Sequence, residues 1–143
     1  MPESSEIKRI QHYLEERWPF YQEILQQMVG INSFSANRAG IDELGKLTAG
    51  VFLGLDFQPE FVPHNQPMYG NHLFLTRPGD TQRTIGLISH LDTVYPATEE
   101  RQNNFYWREE GDRLYGPGTV DIKGGTVLIY MVLDALRYFA PVS

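Results

Sequence analysis

Apolar positions recur at helical spacing from the start of the chain. Ile7, Ile10, Leu14 and Trp18 are continued by Tyr21, Ile24, Leu25 and Met28 up to Gly30, which predicts an amphipathic helix beginning at Ser4. Pro19 lies inside this run, and because proline cannot donate an amide hydrogen and crowds the preceding turn, a bend is expected there. A second helix is predicted after Asn37, a good N-capping residue, with Ile41, Leu44, Leu47, Val51 and Phe52 on its buried face and Gly54 near its end.

The pattern then shortens. Phe57 to Val62 and His72 to Thr76 read as strands separated by a stretch rich in Pro, Asn and Gly, with the Pro59-bearing strand suited to a sheet edge. Thr84 to Ser89 is apolar enough for a strand covered on both faces, which would put His90 at its carboxyl end. Phe105 to Trp107 and Arg113 to Tyr115 flank Glu109-Glu110-Gly111-Asp112 as a hairpin. Gly116-Pro117-Gly118 forces an irregular loop, and Gly124 to Phe139 is a helix apolar around most of its circumference, expected to be buried on several sides.

Composition narrows the function classes. The 143 residues, 41% hydrophobic and 21% charged, suffice for one globular core and argue against disorder. A net charge of -6 disfavours a phosphate-backbone surface, so no nucleic-acid partner is expected. Absence of cysteine removes thiolate ligands, leaving His, Asp and Glu for any metal. Residues 1–10 lack the apolar centre of a signal peptide and no apolar run approaches ~20 residues, so a cytoplasmic protein with no membrane partner is expected.

Two clusters carry chemistry, Ser89-His90-Leu91-Asp92-Thr93-Val94 and Tyr115 to Gly125, which reads YGPGTVDIKGG. Positions two apart in extended chain share a side, so Asp92 can hydrogen-bond one imidazole nitrogen of His90 and leave the other for a metal. Asp121 closes a glycine-bordered loop that opens a helix, from which an oxygen can project into a cleft. Each cluster alone also fits a bland reading, an ordinary surface pair or a tight turn. The second is not a nucleotide-binding P-loop, since Lys123 is followed by Gly124 and not by Ser or Thr.

Together and in this order, as GLISHLDTVYP and GDRLYGPGTVDIKGG with Ile31-Asn32-Ser33-Phe34-Ser35 upstream, they resemble the family of aminoacylase, succinyl-diaminopimelate desuccinylase and glutamate carboxypeptidase. The wording HLDTVY and YGPG looks most similar to the glutamate carboxypeptidase branch. The resemblance implies an α/β fold, a three-layer sandwich with a mixed central sheet flanked by helices, incomplete in this chain. Residues 1–143 would be the N-terminal portion of a metallopeptidase catalytic domain, lacking the lid or dimerisation domain and the C-terminal part.

By the same resemblance, His90 would be a metal ligand, Asp121 would bridge two divalent ions, and Asp92 would be the carboxylate that orients His90. Zinc is the expected metal, with cobalt or manganese also compatible, at a spacing of about 3.5 to 4 Å. The family's adjacent glutamates, later carboxylate and C-terminal histidine have no counterpart. Glu99-Glu100 and Glu109-Glu110 precede Asp121 in polar loop sequence and read as solvated charges, and His12 and His64 read as surface residues. The expected activity of the full-length protein is cleavage of an amide bond in a small peptide or N-acyl amino acid by metal-activated water, this chain alone being inactive. The alternative is a truncated or split-gene binding or assembly module of the same ancestry. For this chain alone, the uncovered faces of the Gly124 to Phe139 helix are expected to favour self-association through exposed apolar surface.

Overall fold

A computed structural model describes residues 4–140. The first predicted helix is two, α1 over Ser4–Glu16 and α2 over Trp18–Val29, with Arg17 between them. The expected bend is a break because Pro19 cannot donate to the carbonyl four residues earlier; in the first turn of α2 the missing donor costs nothing. Helix α3 runs Arg38–Leu53 as predicted, its Asn37 cap accepting from the Gly40 amide at 3.2 Å.

Strands β1, Gln58–Val62, and β2, His72–Thr76, pair antiparallel with Gln58 opposite Thr76. Helix α4, Ala97–Gln102, was not foreseen. Strands β3, Arg108–Glu110, and β4, Arg113–Tyr115, form the second antiparallel pair. Pairing starts three residues later than expected because Gly111, at φ 62°, makes the tight reversal and the ladder grows outward from it. Helix α5 spans Lys123–Phe139.

Tyr21, Ile24, Leu25, Met28 and Val29 of α2 meet Leu44 and Phe52 of α3 and Val127 and Tyr130 of α5 in one core. Each such large side chain contributes about 1.5–3 kcal/mol by leaving water. The rings of Phe52 and Tyr130 meet edge to face at 5.4 Å. Asp134 is buried in this layer, where Arg17 Nε at 2.8 Å and the Tyr21 hydroxyl at 2.6 Å both donate to its Oδ2. These bonds pin the α1–α2 break to α5.

The α/β class is as expected, but the mixed central sheet is not formed among the described residues, whose sheets are the two hairpins. The predicted strand Thr84 to Ser89 lies unpaired, with Ile85 87% and Ile88 93% exposed. A strand covered on both faces needs neighbours to accept its ladder, and none among the described residues does so. For the same reason α5 buries Val127, Tyr130 and Ala135 but leaves Leu128, Val132 and Leu136 facing out, against the expectation of burial on several sides. No described helix is long and apolar enough to cross a membrane.

Candidate metal site

Backbone bonds from Thr93 N to Ser33 O, 2.8 Å, and from Ser35 N to Thr93 O, 3.0 Å, clamp the His90–Thr93 segment against the chain between α2 and α3. Ser89 Oγ lies 2.7 Å from Thr126 Oγ1, which ties the same segment to α5. Opposite it, Gly118 turns the chain at φ 80°, where a Cβ would stand 3.0 Å from both the Thr93 methyl and the Lys123 side chain. The Lys123 amide then donates to Gly118 O at 2.8 Å, closing the loop that presents Asp121.

These elements converge on the imidazole of His90. Its Nδ1 lies 3.2 Å from Asp92 Oδ1 and 2.9 Å from the Asp92 carbonyl, while its Nε2 lies 3.1 Å from Asp121 Oδ1. The three residues singled out in the sequence therefore stand together, His90 between two carboxylates, about half of its side chain open to solvent. The other Asp92 oxygen, Oδ2, accepts from Ser35 Oγ at 2.5 Å. With Nδ1 protonated and held by Asp92, the lone pair of Nε2 faces Asp121, the arrangement that ligating histidines use.

A nitrogen and a carboxylate oxygen converging from opposite elements, with the second imidazole nitrogen already held, fit one edge of a site for a borderline divalent ion. No group of three or more His, Cys, Asp or Glu arranged to hold a metal occurs among the described residues. Glu99 and Glu109 stay exposed as expected, Glu109 accepting from Trp107 Nε1 at 3.2 Å. Glu110 pairs with Arg108 at 2.5 Å. His12 pairs with Glu16, and the ring of His64 lies against that of His72, so neither approaches the site.

Glu100 corrects the sequence reading. Helix α4 turns it inward, where it is 9% exposed and its Oε1 meets no donor among the described residues. Lys123 is 2% exposed, and its ammonium donates to Ile31 O at 2.8 Å. Burial pushes its pKa down to about 8, with the negative charge of Glu100 pulling the other way. Sequence reasoning assigned no role to the side chains of Ser35 and Lys123. A short polar residue and a charge in a glycine-rich turn give no periodic signal, and only the fold reveals what they touch.

Residues 86–141, which contain all three site residues, match the family described as Peptidase family M20/M25/M40. This stretch is thus similar to that peptidase family, in keeping with the resemblance its motifs carry. The chain is 29% identical to carboxypeptidase G2 of Pseudomonas sp. (strain RS-16), over 80% of this chain and 27% of that protein. It is 32% identical to the acetylornithine deacetylase of Pectobacterium carotovorum subsp. carotovorum (strain PC1), over 86% of this chain and 32% of the relative. To the acetylornithine deacetylase of Salmonella arizonae it is 34% identical, over 83% of this chain and 31% of the relative. The chain spans about a third of the length of the curated relatives it matches.

Proposed function

We propose that this chain supplies part of the metal centre of a dinuclear, zinc-type hydrolase that cleaves an amide bond in a peptide or an N-acyl amino acid. The observation that carries the reading is the position of His90, Nδ1 toward Asp92 and Nε2 toward Asp121. In it His90 and Asp121 would hold divalent metal, Asp121 shared between two ions, and Asp92 would fix the imidazole tautomer. A bound ion would acidify water and polarise the scissile carbonyl. Zinc suits the nitrogen and oxygen donors, and cobalt and manganese are chemically compatible. Relatives named carboxypeptidase and deacetylase support amide hydrolysis and leave the acyl group open.

The test is an assay of the zinc-loaded protein that carries this chain, on dipeptides, N-acyl amino acids and N-acetylornithine. Turnover abolished by His90→Ala and by Asp121→Ala is the expected result, and full activity of His90→Ala at saturating zinc would sink the assignment.

A second reading, an assembly module without turnover, is favoured by the apolar side chains left open at Ile85, Ile88 and Val120, each at least 87% exposed. Association without hydrolysis on any of these substrates would support it.

A further inference from the structure

Asp121 and the His90–Asp92 pair come from different parts of the chain, and a third segment, Ile31 to Ser35, touches both. At one end of it, Ile31 O accepts the buried ammonium of Lys123, two residues after Asp121. At the other, Ser35 Oγ donates to the Asp92 carboxylate, and the backbone between them pairs with Thr93. We propose that Lys123 and Ser35 are positioning residues that set the His90–Asp92–Asp121 geometry through this segment, Lys123 registering the Asp121 loop on it and Ser35 the Asp92 carboxylate. The inference rests on the metal-site reading above.

The physical case turns on what else these groups could be doing. An ammonium is costly to bury, so a lysine needed only for solubility or surface charge would stay outside. Lys123 is instead spent on one backbone carbonyl, with its stem against Gly118, at the turn that presents Asp121. Buried Glu100 supplies the opposite charge, which keeps the ammonium tolerable in that place. Ser35 Oγ bonds a carboxylate that itself bonds the imidazole, so its removal frees Asp92 to rotate without opening the core. Misplacement of either group loosens the two donors relative to each other, the kind of loss that outer partners of metal ligands produce.

The test uses the 143-residue chain with Ser35→Ala, Lys123→Met and the double variant, and with Lys123→Gln as the second variant at that position should Met not fold. Two readouts are taken, the imidazole ¹⁵N resonances of metal-free His90 and the affinity for Co²⁺ from titration of its visible absorption, with thermal unfolding as the check on fold. Each single variant is expected to shift the His90 resonances and to weaken Co²⁺ binding about 10- to 100-fold. The double variant should lose less than the product of the two, because both act through one segment. A fall in thermal stability with unchanged His90 resonances and unchanged Co²⁺ affinity marks a merely structural role and overturns the proposal, while loss of binding in His90→Ala leaves the metal reading standing. A parent chain that binds no Co²⁺, yet whose His90 resonances move in both variants, fails the metal reading and keeps the positioning role.

Discussion

The Nε2 of His90 stands 3.1 Å from Oδ1 of Asp121, a residue 31 positions further along the chain and on a different loop. Two donors that close attract a cation, but a catalytic zinc site takes three protein ligands and a water. The chain alone is therefore expected to bind zinc weakly, at one site, and to show no amidase activity. Calorimetric titration should give micromolar or poorer affinity, lost in His90→Ala and in Asp121→Ala and reduced about 10- to 100-fold in Asp92→Asn. Two tight sites with turnover would mean that further donors, such as Glu99 or Glu109, move in to complete the centre.

The start of α5 tests how closely the Asp121 loop is packed. A Cβ on Gly124 would lie 2.2 Å from the carbonyl oxygen of Thr119, so Gly124→Ala must push the loop and the helix apart. A loss of about 1–3 kcal/mol is expected in urea unfolding, as for other overpacked sites. Gly50, exposed on α3 with nothing within 4 Å of a built Cβ, is the control, and Gly50→Ala should gain about 0.5–1 kcal/mol from helix propensity alone. Equal effects at the two positions would contradict the close packing of Gly124 against Thr119.

Helices were legible because their signal is local: the Asn37 cap, the stripe from Ile41 to Phe52 and the apolar α5 each follow from neighbours within a few residues. The proximity of His90, Asp92 and Asp121 was legible in part, because positions two apart in extended chain share a side, while the approach of Asp121 came only with the motif order. The strand at Thr84 to Ser89 misled, since an apolar run states a preference for cover and cannot supply the partners. Glu100 misled in the opposite way. Its polarity reads as solvated until α4 forms and buries it, a tertiary placement with no trace in the local pattern.

Alkaline stability should report on the Tyr21 hydroxyl. Burial first, and then its bond to Asp134, raise its pKa well above that of a free phenol; Tyr13 and Tyr130 are raised also by burial first. Below about pH 10 folded and unfolded chains both hold the proton, so the full stability is present there. As the pH rises further only the unfolded state releases it, and stability falls. Lys123, with a lowered value of about 8, acts with the opposite sign and raises stability from that pH toward about 10.5. Comparison with Tyr21→Phe isolates the tyrosine. That variant should lose about 1.5–3 kcal/mol at neutral pH, because Asp134 loses a donor, and should show a shallower decline above pH 10. Identical alkaline slopes in the two proteins would show that Tyr21 does not govern the alkaline fall in stability.

The open apolar surface should make the chain associate with itself. Ile85 and Ile88 are almost fully exposed on an extended segment whose backbone pairs with no strand among the described residues, and Leu128, Val132 and Leu136 stand exposed on one helix. Unpaired extended backbone offers a row of donors and acceptors to another chain, and apolar side chains on both of its faces add the driving force. Neither guard that natural edges use is present at its centre, since Thr84 to Ser89 contains no charge and no proline. Sedimentation velocity at tens of micromolar should show oligomers whose share rises with concentration. Ile85→Lys and Ile88→Lys place a charge where the side chain already faces water, so they should lower that share without lowering thermal stability. The net charge of -6 opposes association at low ionic strength, and added salt should therefore favour it in the parent chain. A parent chain that sediments as a monomer across this range, in low and high salt alike, would show that the segment folds back onto its own surface in solution.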